Sequence, residues 1–239
     1  IKPTSDSGTI RIEGCDIINA NNGLSGSGSM AGDSLIFKNC TFTNISSYAI
    51  KLKKGAGTLG PVNYLQLEDC TFDSVYQVVL MEDNDGNVST AGPEVEINHL
   101  TVYGVGAPSA FQTENIGGVT LKNTIVANMD SLVMDLYGTS TTVSNVLYKD
   151  SDGGFGYQGG ATFLQLSDVQ SEVDPMFADA ANGDFTLQAG SPALNAADDG
   201  GSLGDNRWIP AAPEMIEVTA GTDQILAAFQ SIAPGGTII

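Results

Sequence analysis

Residues 37–46 read "FKNCTFTNIS", and residues 67–76 read "LEDCTFDSVY". A Cys-Thr-Phe triplet that returns with the same flanks, in a chain holding three cysteines, marks an internal repeat. Aligned on the triplet, "EGCDIINA" places Cys15, "KNCTFTNI" Cys40, "EDCTFDSV" Cys70, "NHLTVYGV" Leu100, "KNTIVANM" Thr124 and "SNVLYKDS" Val146. The steps between those residues are 25, 30, 30, 24 and 22. Steps of this size, with alternating apolar residues and a turn after each run, predict a β-solenoid in which each coil is one repeat. The fold class expected is all-β, a right-handed parallel β-helix.

Two further columns follow from the alignment. Two residues on stand Ile17, Phe42, Phe72, Val102, Val126 and Tyr148, and two beyond those stand Asn19, Asn44, Ser74, Gly104, Asn128 and Asp150. Neighbouring coils of such a helix lie about 4.8 Å apart, so equivalent side chains stack on one another. The first two columns are expected to fill the bore. Short polar residues and glycine in the third suit a tight bend, because they tolerate unusual backbone angles. The thiols of Cys15, Cys40 and Cys70 are accordingly expected to be buried, inert core groups. An odd number of cysteines excludes a complete disulfide framework.

A second strand follows each bend, in "SYAIKLKK", "VYQVVLMED", "SAFQTEN" and "SLVMDLYG". Alternation points Ile50, Leu52, Val78, Leu80, Phe111, Thr113, Leu132, Met134 and Leu136 inward. It turns Lys51, Lys53, Val79, Met81, Gln112, Glu114, Val133, Asp135 and Tyr137 outward, and that outer face carries the richest polar chemistry in the chain.

Charge narrows the partners. Asp and Glu number 28 against 9 Lys and Arg, a net charge of −19 spread along the chain. Such a surface repels nucleic acid and anionic membranes and attracts cations. No apolar run is long enough for a membrane-spanning helix. Few charges and many Gly, Ser, Thr and Asn fit an extracellular β protein. The first residues, "IKPTSDSGTIRIEG", read like the middle of a repeat without a signal peptide, the expectation being a fragment or a trimmed product.

From residue 174 the pattern changes to "DPMFADAANGDFTLQAGSPALNAADDGGSLGDNRW". The order "DPxF", "GDFxL", "SPA" and "GDxRW" resembles the C-terminal region of secreted bacterial parallel β-helix proteins of the pectate-lyase-like superfamily. That resemblance implies a fold and a secreted or surface-displayed setting, not a reaction. Three regions are expected: coils over 1–173, a closing segment over 174–210, and a linker with a cap helix and first strand of a following β-helix over 211–239. The cap helix is signalled by Thr222 or Asp223 before Ile225, Leu226, Phe229 and Ile232.

Polysaccharide lyases of this superfamily, including the chondroitinase B and alginate lyase type, remove a proton beside a uronate carboxylate with a basic residue. Such chemistry needs a base of lowered pKa and a nearby positive charge. Lys51, Lys53 and Lys54 form the candidate cluster. The two arginines are placed elsewhere, Arg11 one coil earlier and Arg207 in the closing segment. The single histidine, His99, reads as an outward-facing strand residue in preference to a catalyst. Calcium is offered oxygen ligands by Glu82, Asp83 and Asp85 in "MEDNDGN", and more weakly by "DSDGG" and "NAADDGG". Sugar stacking has Tyr103, Tyr137 and Tyr157 available, with Gln112, Glu114 and Asp135 as hydrogen-bonding partners; Trp208 is expected to serve as an apolar anchor. The balance favours a non-catalytic, glycan-associated binding or adhesion module of a larger secreted or surface protein, partnered by a polysaccharide or cell-surface glycan. The alternatives are a uronate polysaccharide lyase using Lys51 or Lys53, and a structural stalk.

Overall fold

The computed structural model describes residues 8–27, 34–54, 62–83, 93–114, 116–129, 132–137, 140–151, 154–158, 163–210, 215–216 and 237–238. The chain divides into a large unit, Ile1–Trp208, and a small one, Ile209–Ile239. In the small unit Met215–Ile216 pairs in parallel with Thr237–Ile238. The cap helix expected over 222–232 lies outside the described residues.

The large unit is built on one 13-stranded, parallel sheet, whose curled, in-register repeats are consistent with a β-solenoid. Its first wall contains β1 (Thr9–Glu13), β4 (Ser34–Lys38), the front of β6 (Tyr64–Asp83), β7 (Glu94–Val105), β9 (Gly118–Ala127), β11 (Ser140–Tyr148) and β13 (Phe163–Ser171). Its second wall contains β3 (Leu24–Ser27), the ends of β5 (Thr41–Lys54) and β6, then β8 (Ser109–Glu114), β10 (Leu132–Tyr137) and β12 (Phe155–Gln158). β2 (Asp16–Ile18) lies beside the start of β5.

The pairing register reproduces the columns. Ile17 lies opposite Phe42, Phe42 opposite Phe72, Phe72 opposite Val102, then Val126 and Tyr148. The Phe42 and Phe72 rings stack with centroids 4.7 Å apart and planes 9° from parallel. Gly23 is where the chain passes over that stack: a Cβ there would come within 2.8 Å of the Phe42 ring. A further repeat, missed in the alignment, places Val169 beside Val146 and Ser171 beside Tyr148.

The third column bends as expected. Asn19, Asn44, Ser74, Gly104, Asn128 and Asp150 all have positive φ. A second bend, unforeseen, sits immediately before the first column: Gly14, Asn39, Asp69, His99, Asn123, Asn145 and Asp168 also have positive φ. Each repeat is therefore kinked on both sides of its short middle strand. This double kink explains the recurring cysteine. The Cys40 thiol donates to the Lys38 carbonyl at 3.3 Å and Cys70 to Glu68 at 3.2 Å, as the Thr124 hydroxyl does to Lys122 at 2.8 Å. A small donor after the first kink reaches back across it to a carbonyl two residues earlier. Cys40 and Cys70 are buried and free, as expected, whereas Cys15 in the outermost repeat is free and exposed. Hydrogen bonding with Cys40, and then burial, hold the Cys70 thiol above its ordinary value.

Alternation failed in part on the second wall. Val79 and Met81 lie opposite Phe111 and Thr113 and are fully buried, so Leu80 and Glu82 take the outer positions. Val133 is likewise buried in the core, while Leu132 is half-buried at the outer face. The runs "VVLM" and "LVM" have no period of two, and only pairing with neighbouring strands sets their parity.

Candidate functional site

Two outer columns of the second wall gather most of the candidate residues. One runs Ser25, Lys51, Leu80, Gln112, Asp135 and Gly156; the other runs Lys53, Glu82, Glu114 and Tyr137. Lys51 and Lys53, proposed from sequence as bases, thus share a strip with Gln112, Glu114, Asp135 and Tyr137, proposed as glycan contacts, and with Glu82, proposed for calcium. The side chains of Tyr137, Tyr157 and Asp83, and all of Asp85, lie outside the described residues.

The chemistry of the strip is that of a paired, charged surface. Lys53 forms an ion pair with Glu82 across one strand spacing. The hydrogen bond to Glu82 raises Lys53 above its ordinary value against the opposing effect of burial. Glu114, the next residue along the column, is raised by burial and then by the Glu82 charge, with Lys53 acting in the other direction. Lys51 lies over the Tyr48 ring, its Nζ 4.4 Å from the centroid, and Tyr48 meets Tyr76 edge-on. Gln77 donates to the Gln112 side-chain oxygen and to Ser109, both at 3.4 Å, and so orients Gln112. Tyr48, Tyr76 and Gln77 were missed in the sequence, although "SSYAI" and "SVYQV" place a tyrosine at each strand's start.

Other candidates fall elsewhere. Arg11 is on the first wall, paired with Glu13, and does not adjoin the lysines. Tyr103 is no free stacking surface, because the closing segment packs Phe177 and Phe185 on it at 6.4 and 5.5 Å. Among the described residues, no three His, Cys, Asp or Glu side chains are grouped to hold a metal.

The closing segment forms a strap that climbs back across the repeats. Asn145 donates to the Ala196 carbonyl, Asn123 to Asp198, and the Gly204 amide to the Asn123 carbonyl. His99 is buried with Nε2 2.9 Å from Asp199 and Nδ1 3.2 Å from the Gly204 carbonyl. It is a kink residue under the strap, not the outward strand residue expected. Asp205 then receives Thr71 at 2.6 Å and Arg207 at 2.5 Å, while Arg207 also donates to the carbonyls of Asn39 and Cys40. Trp208 donates to Thr71 at 2.7 Å and packs edge-on against Phe185, the anchor role expected. The "GDNRW" sequence is thus a clasp.

A pH dependence follows. The Gly201 amide, and to a lesser extent His99, hold the Asp199 carboxyl below its ordinary value, opposed by desolvation. A carboxyl depressed in the fold stabilises above its unfolded pKa, and that contribution is lost as pH falls through the folded value. Thermal melts across the acid range should show the native protein losing Tm faster than Asp199→Asn. Parallel curves would mean that the contact adds nothing.

Residues 95–208 match the family DUF5123, described as a domain of unknown function. The match runs from Val95, the second residue of β7, through β13 and the strap, and stops at Trp208, the last residue of the large unit. Gln112, Glu114 and Asp135 fall within it; Lys51, Lys53 and Glu82 do not. No curated protein matches the chain.

Proposed function

We propose that this chain is a non-catalytic glycan-binding module, built as a right-handed parallel β-helix of the pectate-lyase-like kind and carried by a larger secreted or surface protein of a bacterium. The observation that carries this reading is the convergence of Lys51, Lys53, Glu82, Gln112, Glu114 and Asp135 on two adjacent outer columns. Planar amide and carboxyl groups at strand spacing present hydrogen-bonding partners along an extended polymer, beside the Tyr48 ring. Binding is favoured over lyase chemistry because a lyase base must lose its proton easily. Lys53 is instead raised by Glu82, and Lys51 is engaged over the Tyr48 ring.

The test is affinity electrophoresis and calorimetry on uronate-containing and neutral polysaccharides, with ultraviolet absorbance followed in parallel. Gln112→Ala is expected to weaken binding about tenfold, the loss of roughly one hydrogen-bonding contact in a desolvated setting, with an unchanged Tm. No absorbance rise is expected. Formation of an unsaturated product that is abolished by Lys51→Ala or Lys53→Ala would establish the lyase instead. Failure to bind any polysaccharide would leave the stalk.

A further inference from the structure

The first wall carries a cleft that the polar strip does not use. It has a volume of about 470 Å³ and is lined by Tyr64, Glu94, Glu96, Gly118, Thr120 and Lys122, among others. The register accounts for its shape. One outer column runs Tyr64, Glu94, Gly118 and Ser140, and the next runs Gln66, Glu96, Thr120 and Thr142. Gly118 is a gap in a column of side chains, and the gap is the floor of the cleft.

Nothing in the fold requires glycine there. Its φ is not among the positive values, and a Cβ would meet only the Ser140 carbonyl oxygen, at 3.7 Å, an ordinary contact. A strand glycine weakens its strand, and where packing does not demand it the position suits close approach by another molecule. Tyr64 supplies the second independent feature. Its phenol donates to the Glu96 carboxylate, and burial followed by that contact raises its pKa, so the group remains a donor and the ring is fixed in advance. A preset aromatic ring beside an empty floor reduces the ordering cost of binding a flat, hydroxyl-bearing ring.

We infer that this cleft binds one sugar unit of a neutral polysaccharide, seated over Gly118 and against Tyr64. Glu94 and Glu96 accept from its hydroxyls, and Thr120 and Thr142 donate or accept. A neutral sugar fits better than a uronate, because the two glutamates repel a carboxylate and Lys122 is drawn toward Asp198, 3.8 Å away. The lining is too polar for an apolar ligand. The cleft is on a different wall from the Gln112 strip, so each site can be removed without touching the other.

The test uses affinity electrophoresis of the protein in gels containing galactan, arabinan, xylan or galactomannan, with polygalacturonate as the charged comparison. The native protein should be retarded by at least one neutral polysaccharide. Gly118→Leu, which fills the floor, should weaken that retardation at least tenfold, and Tyr64→Ala should do the same if Gly118→Leu folds poorly. Ile18→Ala, at an exposed residue of β2 that belongs to neither site, should leave it unchanged. Absence of retardation by every neutral polysaccharide, or retardation that survives both first-wall variants, would overturn the assignment. Retardation by polygalacturonate that is lost in Gly118→Leu would overturn the neutral class.

Discussion

Asp205→Ala is expected to destabilise the large unit by about 3–5 kcal/mol, because it removes a buried carboxylate that accepts hydrogen bonds, worth roughly 1.5–3 kcal/mol each to a charged group, from Thr71 and from an Arg207 that is itself partly exposed. At ~2–4 °C per kcal/mol for a domain of this size, that is a fall in Tm of roughly 6–20 °C. Asp205 is only 1% exposed. Its carboxylate accepts from the Thr71 hydroxyl, from the Arg207 guanidinium and from the Arg207 amide, while its own amide donates to Thr101 at 2.9 Å. Removal therefore releases the clasp from Thr71, while the bond to Thr101, made by the backbone amide, remains. Arg207 would keep the Asn39 and Cys40 carbonyls but lose its counter-charge. Asp205→Asn retains an acceptor for Thr71 and should fall between the two. Thermal melts decide the matter, together with amide exchange at Gly204 and Asp205. An alanine variant melting within about 2 °C of the native protein would mean that the strap lies on the stacked repeats without supporting them.

The repeat was legible because a parallel stack imposes the same side-chain role at each turn, which leaves a period in the sequence. The period alone places Phe42, Phe72 and Val102 beside one another, and likewise the bend at Asn44, Ser74 and Gly104. The preceding bend was equally present in the residues Gly14, Asn39, Asp69, Asn123 and Asn145. It was obscured by the more conspicuous cysteine beside it and by His99, the one member of the column that is not usually read as a turn residue. The strap was legible as a motif but not as a path. The contacts of Arg207 with Asn39 and Cys40 span more than 160 residues and leave no local period.

The candidate site divides in the same way. Lys51 and Lys53, and Gln112 and Glu114, could be put on an outer face because lysine, glutamine and glutamate alternate there with apolar neighbours. Glu82 reached that face only through the register, since "VVLMED" offers no alternation to read. The Tyr64 cleft left still less trace. Its floor is defined by the side chain that Gly118 lacks, and glycine in a chain with 29 of them does not announce a binding site.

Phe72→Ala should be as damaging as loss of the clasp, for a different reason. The ring is fully buried and stacked on Phe42, which also meets Phe37 edge-on at 5.6 Å. Truncation removes the transfer free energy of a buried ring and leaves a cavity, together about 3–5 kcal/mol; the lost aromatic pair adds ~0.5–1.5 kcal/mol. Collapse cannot relieve this cavity easily, because strand spacing fixes the distance to Phe42 and Val102 on either side. Cys70→Ser is the companion variant. Thr124 shows that the first column accepts a hydroxyl donating two residues back, so serine should reproduce the bond from Cys70 to Glu68 and lose much less than Phe72→Ala. Denaturant melts of both, beside Tyr76→Ala at a ring that is 42% exposed, separate the contributions. If Phe72→Ala cost no more than Tyr76→Ala, the aromatic column would be decoration on a fold held by its backbone ladder. If Cys70→Ser cost as much as Phe72→Ala, the triplet would owe its recurrence to the thiol and not to packing.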